Sequence, residues 1–412
     1  MGNLQFDTAT LPAHATLIAR EDVWIEGDAV AQFARVAALP GCVRAVAMPD
    51  LHPGRGIPVG AAFAFENVVH PALIGGDAGC GVRVAVTNVR AGSLDALERR
   101  VRLAVDEDPL AGVDAEQLLA AVWHRGPRGL AELDGVDAAL ARLAEREPDE
   151  GLLPSGELQP YAELAGGTIG TVGGGNHFME IAKVGEVRAP MRAEALGLSR
   201  DAIVVVAHSG SRGLGGMLAR RWGNPVLDGV ERDRYLGELA GACRFARANR
   251  FVLAFKLLRA LGAARESKLS GGFDLIHNHV REEPLDGRNV WVHRKGAAPA
   301  AAGQPTVVLG SRGAPSWVFD GQGDHALLAS VAHGAGRRMG RSEARAKIKA
   351  RYQRTELTRT ALGGRVVCSD PDLLYEEHPD AYKPIAPIVE VIAAAGLAAP
   401  LAALHPIVTV KQ

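Results

Sequence analysis

Five side chains of types that bind transition metals lie in glycine-rich segments of this sequence. Asp77 and Cys80 are three positions apart in GGDAGCG, just before a strand-like run, and the others are His177 in GGGNHF, His208 in AHSGS and His277 in IHNH. Thiolate, imidazole and carboxylate together suit a borderline metal such as Mn, Fe, Co or Zn. The long separations between these residues along the chain exclude a zinc-finger motif, whose ligands are close in sequence. They favour a catalytic metal site that is assembled by folding.

Each of these residues, taken alone, also has a simpler interpretation. A single buried cysteine usually behaves as a small apolar side chain. A histidine in a loop usually makes an ordinary hydrogen bond or is exposed, and glycine-rich loops are mostly turns. The metal site is therefore a hypothesis that rests on the combination of the five residues, because spacing alone does not bring them together.

A second group of residues suits phosphate chemistry. His333 opens the segment HGAGRRMGR and is followed by Arg337, Arg338 and Arg341. A histidine can be a covalent nucleophile when a phosphoryl group is held in line with it. The loops GSRGAPS and HSGSRG add backbone N–H groups and hydroxyls that suit phosphate oxygens, although no GxxxxGK[ST] pattern is present. The alternative for HGAGRRMGR is a solvated basic helix face.

The composition indicates a large globular protein without a global charge signal. The chain has 412 residues, of which 47% are hydrophobic and 23% charged, and its net charge is −1. A surface for nucleic acid would therefore be local. The four cysteines are far apart and form no CxxC pair, which fits a reducing cytoplasm better than a disulfide scaffold. Because no segment has the apolar length of a signal peptide or membrane span, we expect a cytoplasmic protein without membrane contact.

Alternating helical and strand-like segments predict an α+β, or mixed α/β, fold that positions these loops. Apolar residues at helical spacing predict helices over 93–106, 115–126, 136–147 and 231–263. Runs rich in β-branched residues predict strands over 82–89, 202–211, 289–295 and 305–311. The apolar tail has the pattern of a helix followed by a strand. Segment 106–160 is more helical and charged, and we predict it as a peripheral insertion in a single catalytic domain over 1–412.

Eight ordered motifs resemble those of the RtcB-type RNA ligases. They are MPDLHPGRGIPVG, GGDAGCGVR, GGGNHFMEI, AHSGSRGLG, IHNH, HRKGA, GSRGAPS and HGAGR. The resemblance spans residues 45–341 and returns at AYKPI and the terminal VKQ. It implies one catalytic domain whose central mixed sheets surround a dinuclear metal site.

The resemblance implies a specific reaction and a specific pair of metal sites. Such ligases join an RNA 3′-phosphate or 2′,3′-cyclic phosphate to a 5′-hydroxyl, using GTP and two divalent metals, typically manganese. By this resemblance Cys80 bridges the two metals. Asp77 and His177 would complete one site, and His208 and His277 would complete the other.

The resemblance also implies a nucleotide site around His333. His333 would attack the α-phosphate of GTP to give a guanylylated histidine, and the guanylyl group would pass to the RNA as an RNA-(3′)pp(5′)G end. The Glu180 carboxylate is suited to accept hydrogen bonds from the guanine N1–H and N2 amine. Asp50 and Arg212 are implied as further catalytic residues: Asp50 matches a motif acid near the metals that orients their ligands, and Arg212 would contact phosphate. The other implied guanylate contacts are Asn176, Ser311, Ser316, Arg337, Tyr382 and Lys411.

Several motif positions depart from the commoner pattern. Arg312 stands where Met is usual, Gly340 stands where Ser is usual, and the neighbours of Asp77 differ as well. The resemblance is thus to a divergent branch, which implies either repair of cleaved RNAs, such as nicked tRNA or ribosomal RNA, or tRNA splicing. RNA binding is expected at a local basic patch over 337–341 and 345–351. An activator or release-factor-like protein is among the expected partners.

Two other functions compete with the ligase interpretation. A metal-dependent phosphoesterase acting on RNA ends would need the metal ligands but not His333, Glu180 or Lys411, and the presence of all three argues against it. A non-catalytic binding protein, associated with RNA or a release factor, would be expected to have lost a metal ligand or His333. Neither is lost, so a GTP- and manganese-dependent RNA ligase is the leading interpretation.

Overall fold

The computed structural model describes residues 11–149, 156–164 and 168–412. The α-helices are α1 (Gly27–Ala37), α2 (Leu94–Asp106), α3 (Ala115–Arg125), α4 (Ala138–Ala144), α5 (Pro190–Ala195), α6 (Gly213–Trp222), α7 (Gly229–Leu261), α8 (Arg341–Lys349), α9 (Pro371–Glu376) and α10 (Ile385–Ala394). The strands are β1 (Ala15–Leu17), β2 (Cys42–His52), β3 (Val59–Phe65), β4 (Gly81–Thr87), β5 (Phe178–Val187), β6 (Ile203–Ser209), β7 (Leu269–Ile276), β8 (Asn278–Leu285), β9 (Arg288–Lys295), β10 (Ala297–Pro299), β11 (Pro305–Val308), β12 (Ser316–Gly321), β13 (Ser330–Ala332), β14 (Arg365–Cys368) and β15 (Ala398–Lys411).

Two large sheets and a small one form the framework. The larger sheet has the order β11-β12-β15-β5-β6-β4-β7, and β14 pairs in parallel with the second half of β15. The second sheet has the order β1-β2-β3-β9-β8, and β10 pairs with β13 alone. Because β1–β2 and β14–β15 are parallel and the other pairs antiparallel, both large sheets are mixed, as predicted.

The larger sheet is covered on both faces, and the first five residues of its central strand β6 are therefore all apolar. In β6, Val204 and Val206 belong to the core that lies against the five-stranded sheet. Val205 and Ala207 face the other way, into the core that α7 and α2 complete. A strand buried on both sides loses the polar alternation of a half-exposed strand, which explains the continuous run IVVVA.

The strands predicted over 82–89, 202–211, 289–295 and 305–311 form as β4, β6, β9 and β11, the last of which already ends at Val308, and the four predicted helices form. Their ends follow local chemistry. The first predicted helix begins at Leu94, because the Ser93 side chain accepts a hydrogen bond from the Ala96 N–H and caps it. The long helix α7 ends at Leu261, because Gly262 adopts the left-handed conformation. The apolar tail is a helix followed by a strand, as predicted.

Segment 106–160 is largely helical where the structure describes it, which is up to 149 and again from 156. Leu118, Val122 and Trp123 of α3 and Leu140 of α4 pack in one apolar cluster with one side of α7. This cluster lies apart from the sheet cores. The assignment of 106–160 as an insertion within a single domain stays a prediction.

Within residues 11–149, 156–164 and 168–412, none of the helices combines the length and the apolar character that crossing a membrane requires.

Candidate active site

The five predicted metal ligands lie at one end of four neighbouring strands of the larger sheet. His177 directly precedes β5, His208 lies near the end of β6, Cys80 directly precedes β4 and His277 directly follows β7. These positions share one sheet end because β6 pairs with β5 and β4, and β4 also pairs with β7, all antiparallel. Asp77 ends the short 3-10 helix that leads into β4.

The five side chains meet around the sulfur of Cys80. Its Sγ lies 3.4 Å from His177 Nε2 and 3.4 Å from His208 Nε2. His208 Nε2 is 3.4 Å from His277 Nε2, and Asp77 Oδ2 is 3.6 Å from His177 Nε2. The donor atoms form two groups, Asp77–Cys80–His177 and Cys80–His208–His277, each with all atoms within 4.8 Å of one another. Cys80 belongs to both groups.

Two glycines permit this close approach. A Cβ at Gly210 would lie 2.4 Å from Asp77 Oδ1, so a side chain there would displace the carboxylate. Gly79 has φ +74°, and its Cβ would lie 2.9 Å from the Cβ of Ala246 on α7. The glycines beside the ligands are therefore required by close packing of the ligand loops against each other and against α7, as well as by turning of the chain.

The ionisation of the ligands follows from burial and neighbouring charges. Burial lowers the pKa of His208 and His277 well below the usual value, so both imidazoles are neutral and able to bind a metal. Burial opposes ionisation of Asp77, but His177 and Lys295 hold its pKa well below the usual range. Burial and the Asp77 charge raise the pKa of the Cys80 thiol, an effect that bound divalent cations would reverse.

His333 lies next to this cluster, and Asp50 fixes its orientation. The ring centroids of His333 and His277 are 4.9 Å apart. His333 Nδ1–H donates to Asp50 Oδ2 at 2.7 Å, and Asp50 is completely buried. Because a carboxylate engages Nδ1, Nε2 is the ring nitrogen that is left to react. Asp50 thus contacts the predicted nucleophile, whereas the sequence predicted that it orients metal ligands.

One cavity of about 590 Å³ contains most of the predicted site. The predicted residues that line it are Asp77, Cys80, Asn176, Glu180, His208, His277, Ser311, Ser316, His333, Arg337, Tyr382 and Lys411. Metal-type ligands and phosphate- or base-type groups therefore share one space, as the sequence predicted.

Glu180 presents a free acceptor in the wall of the cavity. Its side chain is buried, and Oε2 accepts a hydrogen bond from the Thr409 hydroxyl at 2.6 Å, while Oε1 has no partner among the described residues. Burial raises the pKa of Glu180 to about 8, against the opposing effects of Thr409 and Lys411. Lys411 Nζ donates to two backbone carbonyls, at 3.0 and 3.2 Å. An unpartnered carboxyl oxygen of this kind can accept N–H groups of a ligand.

Glu377 holds Arg337 and Tyr382 in the same wall, although it is not among the residues predicted from the sequence. Its buried carboxylate accepts hydrogen bonds from the Tyr382 hydroxyl and from Arg337 Nη1, the latter at 2.9 Å, and lies 3.6 Å from Lys411 Nζ. Burial opposes its ionisation, but Lys411 and Arg337 lower the pKa of Glu377 to about 2. Arg337 also donates to two backbone carbonyls, so each of its three guanidinium nitrogens has a protein acceptor in this structure.

Three smaller residues that are predicted to contact the nucleotide make hydrogen bonds in or next to loops. The side chains of Ser311 and Ser316 each accept a hydrogen bond from a nearby backbone N–H, at 3.3 and 3.1 Å respectively. The backbone carbonyl of Asn176 lies 3.3 Å from His208 Nδ1 and orients that imidazole. These contacts shape the loops, and the roles of the three residues toward a nucleotide stay predictions.

Arg212 lies behind His177 and, within the described chain, is not one of the residues that line the cavity. Its Nη1 is 3.5 Å from His177 Nδ1, and its Nε donates to Thr171 Oγ1 at 3.3 Å. The backbone of Arg212 has φ +57°, which is unusual for a residue other than glycine. The structure therefore places Arg212 against a metal-type ligand, and its predicted phosphate contact stays a prediction.

Lys295 and His52 also line the cavity, although neither is among the predicted site residues. Lys295 Nζ donates to the Ile74 carbonyl at 2.5 Å and lies close enough to Asp77 to lower the pKa of that carboxyl. The His52 ring is stacked 6.3 Å from that of His333. Both residues belong to quoted motifs, HRKGA and MPDLHPGRG, and motif membership was the signal that could have found them.

Residues 32–412 match the family model described as tRNA-splicing ligase RtcB. The chain belongs to the RtcB family. It is 36% identical to the RNA-splicing ligase RtcB2 of Escherichia coli, covering 96% of this chain and 95% of that protein. It is 33% identical to the RNA-splicing ligase RtcB of Mycobacterium tuberculosis, over 92% and 100% of the two chains. The tRNA-splicing ligase RtcB of Archaeoglobus fulgidus is 29% identical, over 94% and 92%.

Membership of the RtcB family confirms the resemblance inferred from the ordered motifs. The mixed α+β fold and, at the level of the family, the expectation of an RNA ligase are confirmed with it. The roles of individual residues and the identity of the metal and nucleotide stay predictions.

Proposed function

We propose that the protein is a GTP-dependent ligase that joins RNA 3′-phosphate or 2′,3′-cyclic phosphate ends to 5′-hydroxyl ends with two divalent cations, manganese being expected. One observation carries this proposal. His333, oriented by Asp50, lines the same cavity as Glu180 and lies beside the group of metal-type ligands. Nucleotidyl transfer needs a nucleophile, cations to offset phosphate charge and a site for the base. In this structure the residues suited to these three tasks lie next to one another.

Two divalent cations would be held by the two donor groups that share Cys80. The donor set fits such ions, because it offers neutral imidazoles, a carboxylate held in its ionised form and a thiol between them. Mn²⁺ accepts nitrogen and oxygen ligands, and softer borderline ions such as Co²⁺ or Zn²⁺ also suit the sulfur. When bound, the cations would supply Lewis-acid stabilisation of negative charge on phosphate oxygens.

His333 carries the nucleotidyl group in this proposal. The lone pair of Nε2 attacks the α-phosphorus of GTP, so a P–N bond forms and the P–O bond to pyrophosphate breaks. The imidazole ring becomes cationic in this step, because Nδ1 keeps its proton. Asp50, 2.7 Å from Nδ1, stabilises that charge and holds the ring in one orientation.

The guanylyl group then activates the RNA end. An oxygen of the RNA 3′-phosphate attacks the guanylyl phosphorus, the P–N bond breaks and His333 becomes neutral again. The oxygen of the 5′-hydroxyl next attacks the RNA 3′-phosphorus, its proton passes to solvent and GMP leaves. A 2′,3′-cyclic end would first be opened by water to a 3′-phosphate. Lys295, a cation in the cavity, would offset phosphate charge.

The RNA is expected to extend from the cavity over exposed basic residues. Arg338 and Arg341 are exposed, and Arg341 lines the cavity. Arg345 on α8 is exposed too, although it pairs with Asp372 at 2.8 Å. We infer that the substrates are cleaved cytoplasmic RNAs, in tRNA splicing or in repair of nicked tRNA or ribosomal RNA. An activator or release-factor-like protein is an expected partner.

A covalent-labelling experiment tests the proposal. The purified protein is incubated with Mn²⁺ and GTP labelled at the α-phosphate, then denatured, and protein-bound label is measured. We expect acid-labile label that is released by RNA with a 3′-phosphate and a 5′-hydroxyl. Absence of label with Mn²⁺, Co²⁺ and Zn²⁺, combined with hydrolysis of cyclic-phosphate RNA ends, would favour the phosphoesterase instead.

Guanine binding is expected to strengthen as the pH rises. The carboxylate form of Glu180 accepts the guanine N1–H and N2 amine, whereas the protonated form, favoured below its pKa of about 8, accepts them poorly. Binding of GDP without metal should therefore tighten about eightfold between about pH 7 and about pH 8.5, because affinity follows the ionised fraction. Lys411 and Glu377 are the other titratable groups that adjoin this wall.

Glu180→Gln is the matched control for this titration. Its amide does not titrate, so the pH dependence should disappear, and the preference for GDP over ADP should weaken. The measurement is calorimetric binding in two buffers of different ionisation enthalpy, which also counts the protons released. A wild-type affinity that is independent of pH would contradict the assigned role of Glu180.

A further inference from the structure

The AYKPI segment contains a buried lysine that joins the two loops of the Asp50–His333 pair. Lys383 is only 5% exposed. Its Nζ donates to the carbonyls of Pro49, at 3.2 Å, and Leu51, at 2.8 Å, which are the residues on either side of Asp50. Its own backbone N–H donates to the carbonyl of Gly336 at 2.9 Å.

The loop after His333 also packs directly on the loop of Asp50. Gly336 has φ +74°, and a Cβ there would lie 2.3 Å from the Asp50 carbonyl oxygen. The Gly334 N–H lies 3.4 Å from Asp50 Oδ2, the same oxygen that accepts from His333. The side chain and backbone of Lys383 therefore bind the two segments whose relative position sets the carboxylate–imidazole contact.

Lys383 does not act on a ligand directly. Among the described residues that line the 590 Å³ cavity, Lys383 is absent. It lines instead a separate cavity of about 360 Å³, together with Trp24 and Arg338. Its ammonium is occupied by two carbonyls, so it is neither a nucleophile nor a phosphate contact in this structure.

We propose that Lys383 is a positioning residue that holds Asp50 in register with His333 for nucleotidyl transfer. This inference rests on the proposed function above. A buried ammonium is costly to desolvate and is retained only with good partners, and a methionine would fill similar volume with less penalty. Its two bonds bracket Asp50, so they restrict the one carboxylate that fixes the reacting ring. Misplacement of a reacting group by about 1 Å can cost about 100-fold in rate.

The test is a double-mutant cycle with Lys383→Met and Asp50→Asn. The rate of covalent labelling is measured in single turnover at saturating GTP, alongside GDP affinity and bound metal. Lys383→Met should slow labelling about 10- to 100-fold in the wild-type background and less than about threefold in the Asp50→Asn background, because it acts through Asp50. GDP affinity and metal content should stay within about twofold. Lys383→Arg keeps the donors and should retain most of the rate.

Lys256→Met is the matched control. Lys256 is another buried lysine, and its Nζ donates to the Val105 carbonyl at 3.2 Å, away from the cavity. Its replacement by methionine also removes a buried ammonium, but it should leave labelling unchanged. If Lys383→Met slows labelling by the same factor in both Asp50 backgrounds, or does not slow it at all, the positioning role is wrong.

A readout that needs no activity separates this inference from the proposed function. In metal-free protein with ¹⁵N-labelled histidine, the Nδ1–H of His333 bonded to Asp50 should give a downfield proton resonance that Asp50→Asn abolishes. The resonance should persist in Lys256→Met and Lys383→Arg and be lost or shifted in Lys383→Met. An unchanged resonance in Lys383→Met overturns the inference, whether or not the wild-type protein forms a guanylate.

Discussion

Replacing His333 with alanine is expected to abolish the covalent guanylate and to lower RNA joining by at least about 1,000-fold. The reason is that the buried Asp50 carboxylate holds the His333 ring in place, and no other group can act as the nucleophile in its stead. Bound metal should be unchanged, since His333 is outside both groups of metal-type ligands found in the described chain. Label is measured with α-labelled GTP, and metal by elemental analysis of the same preparation.

The matched control for this substitution is His325→Ala. His325 is exposed in a 3-10 helix near the start of β13, and its replacement should leave labelling, joining and metal content unchanged. If His333→Ala still becomes labelled, His333 is not the nucleophile, and another group in the cavity, such as Lys295, carries the label. Loss of metal along with label would instead place His333 in the metal centre.

Replacing Cys80 with alanine is expected to prevent binding of both metals. Joining activity should therefore fall by at least about 1,000-fold. The reason is geometric, since Cys80 is the member common to the two donor groups. Substitutions of the other ligands should each abolish metal binding at one site only. His177→Ala should remove one metal per chain, and His277→Ala should remove the other. The measurement is the number of Mn²⁺ ions bound per chain, followed by covalent labelling.

Cys42→Ala is the control for the loss of a thiol. Cys42 is a free, half-buried cysteine at the start of β2, and its replacement should leave two metals bound. If Cys80→Ala keeps its full metal content, Cys80 does not bridge. If it loses a single metal, the thiol belongs to one site only, and the pair of donor groups needs a different shared ligand.

Local sequence patterns account for the elements and for the identity of the metal-type ligands. The runs IVVVA and VRVAV predict strands because both faces of those strands are buried. Ser93 sets the start of α2 and Gly262 sets the end of α7 through local capping. The ordered motifs identify the family because short glycine-rich loops next to functional side chains are specific in composition and order. These are properties of neighbouring residues, so they can be inferred without the fold.

Contacts between distant segments account for what the sequence did not predict. Asp50 was expected as a catalytic residue that orients metal ligands, and the contact of its carboxylate with His333, 283 residues away, was not anticipated. Glu377 lies in YEEHP, which has the composition of an exposed turn, and yet its carboxylate is buried and holds Arg337 and Tyr382. Arg212 lies against His177, a contact that the sequence did not indicate, and its predicted contact with a phosphate stays a prediction.

The sequence by itself determined the family, the mixed fold and the residue types that can bind metals and transfer a nucleotide. The resemblance implied how the metal-type ligands divide into two groups, and the tertiary structure supplies the physical reason, because the antiparallel register of β5, β6, β4 and β7 brings the ligand loops to one sheet end. Only the tertiary structure decided how the side chains are oriented. Whether His333 presents Nε2, and whether Lys383 reaches the carbonyls that flank Asp50, depends on packing between segments hundreds of residues apart, where Å-scale distances decide the chemistry.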